Sequence, residues 1–423
     1  MTKNFCKRIE FVALPIAVAI ALIIIPSLAQ AQLINLHNFT GYNDASEAIG
    51  LTMDNAGNLY GVYGGTGYGQ VFELARTHSG WLYSVLYSFA GGYDGAVPFG
   101  RVTLGPGGAL YGVTQQGGGS DCYPISNGCG TVYRLNPPVQ VCTNVVCPWI
   151  ETVLYRFTGF SNGVNPGGNL VFDQAGNLYG TTELGGNLNC AEGYGCGTVY
   201  KLTPSQGSWT ESVLYSFSGQ PDGRLPYSGL IFDNAGNLYG TTELGGNDFL
   251  TYGAGTVFEL SPSGNSWTEK ILYRFQGDAD GYYPIGGLLF DATGNLFGTT
   301  SNANDFENLG TVFMLTPSGD NWVHTVIYLF GGGSGAGPWD SVARDGAGNL
   351  YGTSLTGGIY GNGNLFRLTP SNGSWTYTDL HDFSIYVDGG EPSGVILDAG
   401  GNLYGATAGG GLYGGGIAFE FRQ

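Results

Sequence analysis

Charged side chains are scarce in this chain, at 11% of 423 residues against about 25% in ordinary globular proteins. Only 14 residues are Lys or Arg against 32 Asp or Glu, which leaves a formal net charge of −18. A surface so poor in basic groups repels nucleic acid and anionic lipid, so neither is expected as a partner. Histidine is nearly absent: His37, His78, His324 and His381 are the whole supply, too little for a Ser-His-Asp set to draw on. There is no Cys-x-x-Cys pair and no histidine beside a cysteine, which argues against a zinc site. Beyond residue 31 no apolar run approaches the ~18 residues that a membrane span needs.

Glycine is what the chain has in excess, with 77 residues, alongside 14% aromatic and 42% apolar residues. The apolar share supplies a core and excludes a disordered acidic chain. The glycines show no three-residue period, which excludes collagen. Such a composition suits an all-β protein with many tight turns.

Met1 to Ala31 reads as a secretory signal. Lys3, Lys7 and Arg8 precede an apolar run from Phe11 to Ile25, and Ala29-Gln30-Ala31 supplies small residues for cleavage. The competing reading, an uncleaved anchor, has Pro15 and Pro26 against it. The expectation is a released, secreted or periplasmic product beginning near Gln32, with residues 32–423 as one domain and a net charge of −20 once the signal is removed. Cys6 leaves with the signal, and the remaining six cysteines fall into close pairs: Cys122 with Cys129, Cys142 with Cys147, and Cys190 with Cys196. An even count in an exported chain favours disulfides.

The main signal is a repeat. Gly-Asn-Leu-Tyr-Gly or a close variant starts at Gly57, Gly108, Gly176, Gly236, Gly294, Gly348 and Gly401, and each copy carries the same apolar segments in the same order. In the most regular unit these are Gly229 to Asp233, Gly236 to Thr242, Gly255 to Leu260, and Trp267 to Phe275. Asp233-Asn234-Ala235-Gly236 joins the first two as a hairpin turn, with Asp accepting from the turn's own N–H groups and Gly in the left-handed position. Four such segments make one antiparallel sheet, which cannot bury both faces without stacking on further copies. The last unit has only three segments, while a lone fourth-type strand, Leu36 to Phe39, precedes the first. Pairing the two ends predicts a seven-bladed β-propeller of four-stranded antiparallel blades, closed by an N-terminal strand that completes the C-terminal blade.

The recurring Gly-Asn-Leu-Tyr-Gly-Thr-Thr, Gly-Thr-Val-Phe-x-Leu-x-Pro, Trp-Thr, Val-Leu-Tyr-x-Phe and Asp-Gly-x-x-Pro resemble the Gloeobacter/Verrucomicrobia tandem repeat, GloVer, of exported bacterial proteins. The resemblance covers essentially all of the chain after residue 31. It implies the repeat architecture and no catalytic residues.

Candidate chemistry lies where the connectors between blades and the loops between second and third strands share one face. Trp81, Trp149, Trp209, Trp267, Trp322 and Trp375 recur before the fourth strand, a regularity that says packing between blades. Trp339 departs from that pattern and sits in a connector, as do Tyr93, Tyr227, Tyr282, Tyr283 and Tyr386; these rings are candidate platforms for sugar. Glu183 and Glu243 occupy equivalent loop positions in adjacent blades, as ligand-binding groups or as a carboxylate pair for glycoside hydrolysis. Asp94, Asp222, Asp280 and Asp388, in Asp-Gly turns of the connectors, are turn formers or calcium ligands. Asp54, Asp173, Asp233, Asp291, Asp345 and Asp398 are hairpin formers, since the second unit replaces the acid with Gly105. The expected function is a monomeric binding or interaction module recognising a glycan or protein surface, with no cofactor unless calcium binds. The alternative is a polysaccharide-acting hydrolase or lyase with acids at the propeller mouth.

Overall fold

The computed structural model describes residues 32–41, 48–64, 67–119, 122, 127–138, 148–247, 252–277, 279–302, 309–331 and 333–423. The signal-like segment 1–31 and the pair Cys142 and Cys147 lie outside the described residues.

Local order begins at the hairpin acid. Asp233 Oδ1 accepts from the N–H groups of Ala235 and Asn237 at 2.8 and 2.9 Å, while Oδ2 accepts from Asn237 Nδ2 at 2.8 Å and from the Tyr239 hydroxyl at 3.2 Å. Gly236 follows at φ +88, where only glycine is unstrained. One carboxylate thus satisfies four donors and sets the register of the first two strands. Asp54, Asp173, Asp345 and Asp398 hold the same contacts. At Asp291, where Phe297 replaces the Tyr, the Thr293 hydroxyl donates instead at 2.8 Å.

The second Gly of Gly-Asn-Leu-Tyr-Gly has a different cause. Gly240 pairs with Phe258 on the third strand, whose ring lies across it; a Cβ at Gly240 would sit 2.6 Å from Phe258 Cζ. Gly298 with Phe313, Gly352 with Phe366, and Gly405 with Phe419 repeat the contact at 2.5 Å. The repeat therefore keeps glycine because a large ring on the next strand needs its space.

Each hairpin extends into an antiparallel sheet of four strands in chain order, such as Ile231–Phe232, Leu238–Thr242, Thr256–Ser263 and Ser266–Arg274. There are seven such sheets, with one small extra pair, Gly223–Arg224 with Leu244–Gly245. The second strands, such as Leu238–Thr242, are buried over their first five residues, whereas the fourth alternate between exposed and half-buried positions at the outer edge. Apolar clusters form between sheets, not within them. Tyr239, Val257, Leu272 and Phe275 of the fourth blade pack against Leu288, Leu296, Phe313 and Leu315 of the fifth. The regular tryptophans belong to these seams, as in Trp267 on Tyr179 at 6.3 Å and Trp322 on Tyr239 at 6.4 Å.

The ring closes as the chain ends require. Gln32–Asn38 adds to Ile417–Arg422 in antiparallel register, Leu33 opposite Phe421 and His37 opposite Ala418. The strand completes the seventh sheet, and the fully buried Phe39 packs with Tyr404 and Ala418 against Leu51 and Phe72 of the first blade.

Candidate functional site

The connectors and the loops between second and third strands meet at one end of the ring. Gly118 N–H donates to Gly92 O at 2.9 Å, Gly246 to Asp222 O at 2.6 Å, Leu355 to Gly337 O at 3.0 Å, and Gly411 to Ile385 O at 2.8 Å. Within the connectors, the residue preceding each recurring proline adopts a left-handed conformation. Val97, Asn165, Leu225, Tyr283, Gly337 and Glu391 have φ between +53 and +62. Residues before proline favour extended backbone, and β-branched Val is especially costly at positive φ. Each is held by its own N–H, which donates to the preceding blade: Val97 to Tyr68 O at 2.9 Å, Leu225 to Cys196 O at 3.0 Å, Tyr283 to Ala254 O at 3.1 Å. Five of the six are not glycine, so backbone strain recurs in the connectors at one end of the fold.

The consequence is where the next residues point. After each proline the chain turns into the centre of the ring, so Phe99, Tyr227, Ile285 and Trp339 line a narrow central cavity of about 70 Å³. Phe99 meets Tyr227 edge-on at 5.0 Å, and Tyr227 meets Trp339 edge-on at 6.4 Å. Deeper in, Arg101 of the second blade reaches across to Asp340, next to Trp339, with Nη2 at 2.5 Å from Oδ2. Arg101 also donates to Leu51 O at 3.0 Å, and its backbone N–H donates to Asn169 Oδ1 at 2.6 Å. Both side chains line the same central cavity as Phe99, Tyr227 and Trp339.

Beside the collar lies a larger basin of about 320 Å³, lined by Glu243, Tyr283, Ser301, Asn302, Trp339 and Thr356 among others. Trp339 is 43% exposed there and offers a ring face. Glu183 stands in the neighbouring blade, where Gln115 Nε2 donates to Oε1 at 2.7 Å and Asn165 supplies a second hydrogen bond. Burial pushes the Glu183 carboxyl up to about 7; the Glu243 charge adds to that, while the two amides work against it. Burial also raises Glu243, with the Arg224 guanidinium opposing. Burial and then both glutamates raise the Tyr227 hydroxyl, which places the two acids and this ring in one electrostatic neighbourhood.

The structure thus brings Tyr227, Tyr283, Trp339, Glu183 and Glu243 together. It does not gather the other candidates. Tyr282 is only 3% exposed and packs with Phe275 and Phe313 in the seam between blades, where it is a core residue and offers no face to a sugar; the half-buried Tyr283 ring lies 6.0 Å from it and also lines the basin. Tyr93 and Tyr386 are 73% and 89% exposed; Tyr93 lies under the Arg156 guanidinium at 5.9 Å and borders a separate groove with Tyr68. The connector acids close their own turns. Asp222 accepts from the Tyr215 hydroxyl at 3.1 Å and from Ser218 N–H at 2.9 Å; Asp94 and Asp280 do likewise with Tyr87 and Tyr273. Asp388 pairs with His381 Nε2 at 2.7 Å. Among the described residues no three His, Cys, Asp or Glu side chains group as metal ligands. His37 stacks on Tyr83 at 4.2 Å and His324 on Tyr273 at 4.1 Å, both packing roles.

Sequence reasoning missed Phe99, Arg101, Ile285 and Asp340. The signal that marks the collar is the recurring proline at 98, 226, 284 and 338, whose following residue enters the channel. Two disulfides brace loops between second and third strands, Cys122 to Cys129 and Cys190 to Cys196, with Cα separations of 5.3 and 5.6 Å. Among the described residues no helix is long and apolar enough to cross a membrane.

Seven four-stranded sheets around a central cavity, with the variable side chains at one mouth, define a β-propeller. The Gloeobacter/Verrucomicrobia repeat matches residues 125–308, 189–376 and 291–423, well over half of the sequence, and the chain belongs to that family. No curated protein matches it. Among solved structures it is similar to a chain assigned as the extracellular domain of a hybrid two component system from B. thetaiotaomicron. That likeness has 14% identity and a TM-score of 0.53, and covers 92% of this chain and 42% of that one. A chain assigned as a 6-phosphogluconolactonase from Bacteroides uniformis matches with 14% identity and a TM-score of 0.49, over 78% of this chain and 83% of the other. The PQQ-bound aldose sugar dehydrogenase of Streptomyces coelicolor matches with 15% identity and a TM-score of 0.44, over 77% and 93%. Likeness at these identities shows the fold alone.

Proposed function

We propose that this protein is an exported carbohydrate-binding module whose ligand lies on the Trp339 ring at the channel mouth. The observation that carries the reading is the 320 Å³ basin, in which an exposed indole stands beside Glu243, Ser301, Asn302 and Thr356. An aromatic face for the apolar side of a sugar ring, with polar groups placed around it for the hydroxyls, is what saccharide recognition requires. The Tyr227 ring props Trp339 edge-on, so the platform is preorganised. Two disulfides in the mouth loops fit an oxidising compartment, in keeping with the signal-like N-terminus.

A second reading, hydrolysis of a polysaccharide, draws on the raised Glu183 carboxyl, since a general acid needs such a pKa. Gln115 and Asn165 fasten that carboxyl to the wall, which favours a binding role. The test is a glycan array probed with the purified protein and with Trp339→Ala, followed by reducing-end analysis of any bound polysaccharide. Binding lost in the variant with no new ends supports the module. New ends that vanish in Glu183→Gln support the enzyme, and a blank array overturns the carbohydrate reading.

A further inference from the structure

We propose that the mouth selects saccharides bearing free amino groups, the ammonium sitting against the Trp339 ring and beside Glu243; this rests on the carbohydrate reading of the same site. Two features of the mouth carry it. The basin joins ring faces to a carboxylate in one cavity, with Trp339, Tyr283 and Glu243 sharing the lining. Aromatic faces attract cations through their quadrupole, and a carboxylate at the edge of such rings adds direct charge pairing. Acids, moreover, recur around the opening: Glu183 and Glu243 on adjacent blades, and exposed Glu391 at the connector position that Tyr283 occupies in the fifth blade.

Two guanidinium groups stand near the mouth. Arg101 is bound to Asp340 and to Leu51 O. Arg224 lies over the Tyr252 ring at 5.2 Å, and its charge favours ionised Glu243. A uronate or a phosphorylated sugar would bring a further negative charge to the two glutamates, which disfavours anionic glycans. A free amine places a cation between the Trp339 ring and Glu243, where a neutral sugar has only the ring and its hydroxyls to offer.

The experiment compares a β-1,4-linked glucosamine hexamer with its fully N-acetylated counterpart by calorimetry on the purified protein. The expected result is at least tenfold tighter binding of the free amine, and loss of that preference in Glu243→Gln. Trp339→Ala leaves the net charge untouched, so it separates site binding from general attraction to an acidic protein; it is expected to abolish binding of both hexamers. Equal affinity for the two hexamers, lost in Trp339→Ala, overturns amine selectivity while the carbohydrate reading stands. Amine binding that survives Trp339→Ala overturns the proposed site. Failure of both hexamers, with no saccharide bound on the array, overturns the carbohydrate reading and the proposal with it. Circular dichroism melts of the variants confirm that each is folded.

Discussion

Arg101 and Asp340 meet across the centre of the ring at 2.5 Å, joining the second blade to the sixth over 239 residues of sequence. The two side chains are 12% and 23% exposed, so the pair is largely withdrawn from water. Gly50 and Gly394 make room for it: a Cβ on either would collide with Arg101 Cγ or Asp340 Oδ2. Removing one partner strands the other's charge. Arg101→Met is expected to cost roughly 1–3 kcal/mol, below the range for a fully buried pair because both groups keep some water. Urea unfolding checks this, and the double variant Arg101→Met with Asp340→Leu should recover much of the loss. A double variant no better than the single one would show that the bridge is not what holds these inner strands.

The N-terminal strand closes the ring. Phe39, fully buried between the seventh and first blades, is expected to cost ~3–5 kcal/mol on replacement by Ala. Deleting Leu33 to Phe39 should lower the melting temperature far more than trimming an exposed loop such as that around Ile359 and Tyr360. An unchanged melt would contradict the closure.

Gly240→Ala places a methyl group 2.6 Å from the Phe258 ring and should cost roughly 1–3 kcal/mol by overpacking. Adding Phe258→Leu should return part of that loss, which a general strand defect at Gly240 would not. Denaturant midpoints of the single and double variants decide between the two.

Stability should fall as pH rises through neutrality. Burial raises the carboxyls of Glu151, Glu211 and Glu269 on the fourth strands to about 7, with Asp94 adding to the first and Asp222 to the last. A folded pKa above the unfolded one means the native state binds more protons, so these groups favour folding most at low pH and lose that advantage between about 4.5 and 7. The hairpin acids run the other way. At Asp173, Asp291, Asp345 and Asp398 burial raises the pKa, but the hydrogen bonds from Asn side chains and turn N–H groups outweigh it, so their stabilisation is lost only as pH falls below the usual carboxylate range. His324, lowered by burial to about 4, opposes the glutamates between about 6.5 and 4 as a single group. Stability is expected to peak at about pH 4, above the titration of the hairpin acids and below that of the three glutamates in the unfolded chain. In the triple Glu→Gln variant at 151, 211 and 269 the decline toward pH 8 should flatten; melting temperature against pH measures it, and an unchanged slope would sink the assignment.

Much of this was legible in the sequence because it is local or periodic. The hairpin acid, its glycine and the Tyr six residues on lie within one turn, and their contacts follow from spacing. The ring closure was legible from the count of segments at each end. The mouth was legible only in part. Trp339, Glu183 and Glu243 stood out by position, but Tyr282 and Tyr283 could not be told apart: both pack at one seam, and only Tyr283 also lines the basin, a difference set by how two blades meet. Nothing in the spacing announces it.

The sequence by itself therefore determined the repeating unit, the number of blades and the way the ends join, since these rest on turn chemistry and alternation that each segment carries within itself. Only the tertiary structure decided which loop residues face one another. The Arg101 to Asp340 bridge, the Phe99, Tyr227 and Trp339 collar and the shared basin of Glu243 and Tyr283 bring together residues from different blades. Their distances depend on how blades pack around the ring, a property that no single repeat contains.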